Sequence, residues 1–413
     1  MAKNVYDTLI ERGFLAQTTH ADTIKRKLGE EQVVFYTGFD PTADSLHVGH
    51  MIALMMMAHL QRAGHKPIAL IGGGTAMIGD PSGRSDLRQM MTPETIAHNA
   101  SRFQQQMSLI IDFADDPKAP GNGAILVNNA DWLGKLDYLT FIRDIGVHFS
   151  VNRMLTAECY RQRLERGLTF LEFNYMLLQA YDYLQLFQNY NCTLQMGGDD
   201  QWSNVLAGVD LVRRVEQTEV YGATVNLLLN SEGKKMGKTA KGAVWLDENK
   251  LPVFDFYQYW RNIPDSDVIN CLKLLTFVEM DEVNHYAELE GSAINEAKLR
   301  LAYEVTKIVH GEEKAKAAEQ QAKELFSGAG RSEDMPTAEI AANDLPKQFL
   351  SILADNKFVP SRSEGRRLML QGGIYLNNEV IKDLDYQLKT EDFTDNEVIV
   401  RRGKKNFYRL LLK

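Results

Sequence analysis

At 413 residues the chain exceeds the length at which one hydrophobic core stops growing, and 44% hydrophobic residues are ample for a folded interior, so two or three domains are expected. A formal charge of −9 speaks against indiscriminate polyanion binding, and the widely separated Cys159, Cys192 and Cys271 fit neither a disulfide framework nor a zinc knuckle. The apolar run Met51 to Ala58 is far short of the ~20 residues of a membrane span, and the first twenty residues mix Lys3, Asp7, Glu11 and Arg12 with apolar positions, unlike an export signal. A cytoplasmic protein with reduced thiols and no membrane partner is expected.

Val33 to Tyr36 is a β-prone run, followed by a turn-rich segment, Gly38 to Ser45, and by an apolar helical pattern from Leu46 to Ala63 closed by Gly64. This unit carries His47-Val48-Gly49-His50. Two imidazoles in the first turn of a helix can hydrogen-bond phosphate oxygens alongside the unpaired N–H groups of that terminus, and Gly49 lets a nucleotide approach the backbone. Alone, the same residues suit a helix cap with a packed second histidine equally well. Neither histidine has a third ligand at zinc-site spacing, so no protein-bound zinc or other resident metal is expected.

Pro67 to Ile71 is a second buried-strand pattern leading into Gly72-Gly73-Gly74, and the loop Gly79-Asp80-Pro81-Ser82-Gly83-Arg84, with Arg88 beyond it, joins an acid to cations. Apolar runs at Ile125 to Asn128 and Thr193 to Met196 repeat the alternation of strand and helix, and Gly197-Gly198-Asp199-Asp200-Gln201-Trp202 follows the second of them. The pattern predicts an α/β fold, a doubly wound parallel (Rossmann-like) sheet that places these loops beyond the strands' carboxyl ends, where ligands bind. Acids there suit ribose hydroxyls and ammonium groups, although each could also cap a helix.

A helix starting near Asn174 presents Tyr175, Gln179 and Asp182 at i, i+4 and i+7, a polar stripe amid Met176, Leu177, Leu178 and Ala180. The stripe faces either water or a pocket for a small polar molecule, and Tyr36 at the end of the first strand would add a phenol to such a pocket. Farther on, Ser231 to Lys241 holds Lys234, Lys235, Lys238 and Lys241 with two glycines and the hydroxyls of Ser231 and Thr239. Such a composition suits a mobile loop closing over pyrophosphate, or a solvated turn. With the histidine pair it describes a two-part grip on a nucleoside triphosphate.

The predicted organisation is a catalytic domain over 1–230, the lysine loop and its connection over 231–252, a helical domain over 253–326, a linker over 327–346 and a small α+β domain over 347–413. From Lys347 to Lys413 there are 13 Lys and Arg against 9 Asp and Glu, a net of +4 that leaves −13 on the rest. A helical segment, Ser361 to Gln371, clusters Arg362, Arg366 and Arg367, and Gly372-Gly373 ends it. Strands are expected at Ile374 to Leu376 and Val398 to Arg401, then a hairpin through Arg402, Lys404 and Lys405 into Phe407 to Leu412. A basic end on an acidic body points to a polyanionic partner.

Five segments in this order, YTGFDPTADSLHVGH (Tyr36 to His50), GDPSGR (Gly79 to Arg84), NYMLLQAYD (Asn174 to Asp182), GGDDQW (Gly197 to Trp202) and KMGKT (Lys235 to Thr239), resemble the class I aminoacyl-tRNA synthetases, and within them the bacterial tyrosyl-tRNA synthetases. The end of the chain resembles the alpha-L RNA-binding module. The resemblance implies activation of L-tyrosine by ATP, with magnesium carried on the nucleotide, and transfer to the 3′ end of tRNA(Tyr) by a homodimer, without DNA as a partner. It places Thr42, His47, His50, Lys235, Lys238 and Thr239 in catalysis. It assigns Gly38, Asp40, Gly49, Arg84, Arg88, Gly198 and Asp200, with the histidines and lysines, to ATP. Tyr36, Asp80, Tyr175, Gln179, Asp182 and Gln201 fall to tyrosine, and Arg362, Arg366, Arg367, Arg401, Arg402, Lys404 and Lys405 to RNA. The alternatives are a tryptophanyl-type synthetase and a non-catalytic RNA-binding relative.

Overall fold

Short β-prone runs form a six-stranded sheet of β1 (Leu15–Thr18), β2 (Val34–Phe39), β3 (Lys66–Ile71), β4 (Ile125–Asn128), β5 (Leu194–Gly198) and β6 (Tyr221–Val225), in spatial order β1-β6-β5-β2-β3-β4. The structure is a computed structural model, and it describes residues 3–79, 91–117, 119–164, 167–239, 242–327, 335–377, 379–393, 396–403 and 406–413, with backbone alone at 162–163, 238–239 and 325–327. Of the predicted site residues, Asp80, Arg84, Arg88, Lys404 and Lys405 lie outside the described residues, as do the side chains of Lys238 and Thr239.

Strands β2 to β6 are parallel, as the alternating pattern predicts, while β1 pairs antiparallel with β6 at one edge. The edge strand is short, half exposed and interrupted by a register shift, so its residues carry no strand pattern of their own. Strand order reverses between β2 and β5, which makes a topological switch point where Phe39 and Gly198 end their strands.

The helix Val48–Arg62 follows β2 and buries Met51, Leu54, Met55, Met56 and Met57. The helix Phe170–Tyr190 starts four residues before the expected Asn174 because Thr169 and Glu172 form a capping box. Its Met176, Leu177, Tyr183 and Leu184 join Ile68, Leu70 and Ile125 of the sheet in one core.

The chain divides into two compact units, 1–316 and 317–413. The helices Val253–Arg261, Asp265–Leu275, Met280–Ala287 and Ile294–His310 belong to the first unit, whereas a separate helical domain is the expectation from their composition. One physical reason is Arg12, whose buried guanidinium donates to the carbonyl oxygens of Lys273, Thr276 and Val278 just where the helix Asp265–Leu275 ends. A cation at a helix carboxyl terminus satisfies carbonyls that have no partner within the helix.

In the second unit a five-stranded sheet runs in the order Glu379–Val380, Ile374–Leu376, Glu397–Arg402, Asn406–Leu412, Thr337–Ile340. The last strand lies inside the predicted linker 327–346 and pairs parallel with Asn406–Leu412, so the terminal domain's sheet recruits residues from before Lys347. Phe349, Ile352, Leu353, Val398, Val400 and Leu410 give this unit its own core. Among the described residues no helix is long and apolar enough to cross a membrane.

Candidate active site

A cavity of about 400 Å³ opens at the switch point and is lined by Tyr36, Gly38, Asp40, Thr42, His47, Gly49, His50, Tyr175, Gln179, Asp182, Gly198, Asp200, Gln201 and Lys235. Residues from four of the five motif segments therefore meet in one place, the remaining segment, Gly79 to Arg84, lying outside the described residues beyond Gly79. The polar stripe Tyr175, Gln179, Asp182 faces this cavity rather than water: Tyr175 is 5% exposed and Asp182 2%.

One end of the cavity is buried and polar. The Asp182 carboxylate accepts from Asn129 Nδ2 at 2.9 Å and from Trp132 Nε1 at 2.7 Å. Burial nevertheless raises its pKa to about 7, those two hydrogen bonds pulling the other way and the charge of Asp40 adding a smaller push upward. The Tyr36 ring stands 5.3 Å from that of Tyr183, and its fully buried phenol is held well above its ordinary pKa, first by burial and then by the charge of Asp182. It is therefore a permanent donor, and among the described residues its oxygen has no hydrogen-bond partner. Thr37 Oγ1, Gln179 Oε1 and Gln195 Oε1 are likewise buried without partners, and all four residues line this cavity. Unpaired buried polar atoms are costly in a folded protein, and their convergence marks a place where a ligand completes the hydrogen bonding.

The other end carries the histidine pair. His47 caps the helix Val48–Arg62: its Nδ1 accepts from Gly49 N at 3.0 Å, while His50 Nδ1 accepts from His47 N at 3.1 Å. The cap that was an alternative to phosphate binding in the sequence is thus made, and it sets the tautomers, because a ring accepting at Nδ1 carries its proton at Nε2. Burial, and secondarily the charge of His47, lowers His50 to a pKa of about 3, so it is a neutral N–H donor at neutral pH. The cap and the donor role are one arrangement. A side chain at Gly49 would lie 2.8 Å from His47 Cε1 and displace the capping ring, so glycine is required there.

The lysine segment borders this end through Lys235 and Met236. Asn230 Oδ1 accepts from Glu232 N and Lys234 N, and Met236 N donates to Leu228 O, which shapes the segment into a turn. Lys235 Nζ reaches Asp200 Oδ2 at 3.2 Å, whereas Lys234 pairs with Glu232. Beyond the turn, Val48 N donates to Val244 O and Leu246 N to Leu46 O, so the exit of the lysine segment is bonded directly to the histidine motif. Trp245 lies 6.1 Å from His47, centroid to centroid.

Among the described residues no group of three or more His, Cys, Asp or Glu is placed to hold a metal ion. Asn129, Trp132, Gln195 and Trp245 were not singled out in the sequence. Asn129 directly follows β4, where the rule that ligands gather beyond strand ends would have flagged it; Trp132 and Trp245 carry no comparable signal.

In the second unit the arginines divide. Arg362 and Arg367 are exposed and make surface ion pairs with Asp355 (3.6 Å) and Glu364 (2.6 Å), and Arg366 is exposed on the same helix, Arg362–Leu370. Arg401 instead lies 3.6 Å from the ring centroid of Tyr375, and Arg402 Nη1 donates to Phe358 O at 2.8 Å. These two half-buried side chains help to pack their own sheet.

A doubly wound sheet whose switch point joins a pocket of buried polar groups to capped histidines and a lysine turn is the architecture of an aminoacyl-tRNA synthetase of class I. Residues 28–327 match the model of the tRNA synthetases class I (W and Y), and residues 328–410 match the tyrosine–tRNA ligase SYY-like C-terminal domain. The chain belongs to the class I tRNA synthetases of this W and Y family. It is 56% identical to a tyrosine–tRNA ligase of Clostridium botulinum over 99% of this chain and 100% of the relative, and 58% identical to that of Clostridium perfringens over 99% of each. Among solved structures, a C-terminally truncated Aspergillus nidulans mitochondrial tyrosyl-tRNA synthetase superimposes with a TM-score of 0.70 at 30% identity, over 79% of this chain and 95% of that one.

Proposed function

We propose that this cavity activates L-tyrosine with ATP and then passes the tyrosyl group to the 3′ end of tRNA(Tyr), the activity of a tyrosine–tRNA ligase, which the full-length relatives carry in name. The observation that carries the assignment of sites is the pairing, in one cavity, of an unpartnered buried phenol donor, Tyr36, with a buried carboxylate acceptor, Asp182. A substrate phenol accepts from the first and donates to the second; an indole or a phenyl ring leaves them unpaired. Tyr175, Gln179, Asp80 and Gln201 hold the amino acid's ammonium and carboxylate.

The tyrosine carboxylate then attacks the α-phosphorus of ATP and pyrophosphate leaves. Thr42, His47 and His50 donate to phosphate oxygens, Lys235, Lys238 and Thr239 follow the departing pyrophosphate, Arg84 and Arg88 assist at the phosphates by family resemblance alone, and Gly38, Asp40, Gly49, Gly198 and Asp200 receive the nucleoside. Lys235 exchanges Asp200 for the nucleotide when ATP enters. Magnesium would arrive on the ATP phosphates and supply charge neutralisation there, carried by the nucleotide rather than held in a protein cage. In the second step the tRNA hydroxyl attacks the tyrosyl carbonyl and AMP leaves.

Arg362, Arg366 and Arg367 form the RNA-facing side of the second unit, Lys404 and Lys405 are assigned to RNA by the family resemblance alone, and Arg401 and Arg402 support the sheet. Tyr138, Leu139, Val147, Val151, Phe170 and Leu171 are exposed within a stretch of some thirty residues, an apolar surface suited to a homodimer interface. No disulfide joins the three cysteines, which suits a cytoplasmic setting. ATP–pyrophosphate exchange measured separately with tyrosine, tryptophan and phenylalanine tests the assignment: exchange with tyrosine alone is expected, and exchange with tryptophan alone would overturn it.

A further inference from the structure

The helix Pro93–Met107 contributes no residue to the cavity lining, yet it carries a second polar stripe: Asn99, Arg102 and Gln106 at i, i+3 and i+7, hence on one face. Asn99 and Gln106 are 4% and 7% exposed, and Arg102 is half-buried. Each bonds to a segment that bears a part of the nucleotide grip. Asn99 Nδ2 donates to Pro41 O at 2.9 Å, between Asp40 and Thr42. Gln106 Oε1 accepts from Leu46 N at 2.7 Å and from Ser45 Oγ at 3.3 Å, directly before the capping histidine. Arg102 Nη2 donates to Asp247 Oδ2 at 2.6 Å, and Asp247 stands three residues beyond Val244 on the exit of the lysine segment. Phe103 of the same helix lies 6.0 Å from His50, ring to ring.

We propose that Asn99, Arg102 and Gln106 are positioning residues for the nucleotide step, one helix face that fixes the turn bearing Asp40, Thr42 and His47 against the exit of the lysine segment. The inference rests on the nucleotide role assigned above to those residues. Three properties favour positioning over simple stability. The bonds go to turns rather than to the apolar core, two of them satisfy backbone groups that a turn leaves unpaired, and the third is a charge pair whose acid is 9% exposed. Polar groups spaced for one helix face and spent on two halves of one site act as a brace, and transition-state donors need placement to a fraction of an ångström.

The test compares Arg102→Met and Asn99→Ala with Arg102→Lys in the full-length protein. Expected for Arg102→Met and Asn99→Ala are a higher KM for ATP and a lower exchange rate, roughly 10- to 100-fold together in kcat/KM for ATP. Tyrosine affinity measured by fluorescence without ATP should stay within about twofold, and Arg102→Lys should recover most of the rate. Loss of tyrosine affinity and ATP kinetics in parallel, with a lowered melting temperature, would reduce the stripe to a structural role and overturn the proposal, as would unchanged ATP kinetics in both variants. His47→Ala separates the two levels. If it leaves exchange intact, the nucleotide assignment itself fails; if it abolishes exchange while Arg102→Met does not, only the brace fails.

Discussion

The two ends of the cavity solve opposite problems. At the proposed tyrosine end Asp182 and Tyr36 are buried and each is held by a neighbour, Asp182 by Asn129 and Trp132 and Tyr36 by the ring of Tyr183. At the proposed phosphate end Lys235 is 49% exposed in its side chain and rests on Asp200 in a salt bridge that solvent weakens. A neutral hydroxyl can be told from a hydrogen atom only by groups whose alternative partners have been removed, so selectivity requires enclosure. A triphosphate carries enough charge to draw exposed cations to itself, and a cation that must follow a leaving group has to stay free to move.

The contrast can be broken most severely at the phosphate end. Lys235→Ala is expected to lower the exchange rate by roughly 100- to 1000-fold while leaving tyrosine affinity almost unchanged, measured by pyrophosphate exchange and fluorescence titration. An equal loss of both would show that the two ends are not separable.

Asp182→Asn should cost roughly 100-fold in kcat/KM for tyrosine, because a charged acceptor is lost. The same change should stabilise the protein. The folded-state pKa of Asp182 is raised to about 7 from 3.8, so its ionisation costs the fold increasingly as pH rises from 3.8 to 7 and fully above that. Thermal or urea unfolding at pH 8 is expected to show a gain of roughly 1 to 3 kcal/mol for the variant, and a loss instead would mean that the carboxylate is better solvated than its burial implies.

A smaller effect follows from the same group. The substrate hydroxyl donates more strongly to the ionised carboxylate than to the neutral acid, so KM for tyrosine should be lowest well above pH 7 and rise as pH falls through that value, by at most roughly tenfold per unit. Trp132→Phe removes a donor that stabilises the charge, so the midpoint of that profile should move upward while KM at pH 8.5 rises only a few-fold. A profile insensitive to Trp132 would relocate the titration to another group.

Much of this site was legible because its chemistry is local. Histidines three apart at a helix start, a stripe at helical spacing and acid loops after strands are short patterns, and Ile125–Asn128 and Ile374–Leu376 were bounded in the sequence as they stand in the fold. Asn129 and Trp132 were not legible as site residues, since what makes them functional is a carboxylate some fifty residues away. Arg401 and Arg402 read as free cations until the register put Tyr375 opposite the first and Phe358 within reach of the second. The strand Thr337–Ile340 was hidden in a segment rich in turn-forming residues because it is ordered by pairing with Asn406–Leu412 at the far end of the chain.

The sequence by itself determined which side chains could bind phosphate, which helix face could be polar, and that strands and helices alternate, because each depends on spacing along the backbone. Only the tertiary structure decided that the stripe of Tyr175, Gln179 and Asp182 faces inward, that the two histidines form a helix cap, and that the helix Pro93–Met107 bonds to the segments on either side of that cap. Burial and the pairing of distant residues set those outcomes, and neither is a property of any short segment.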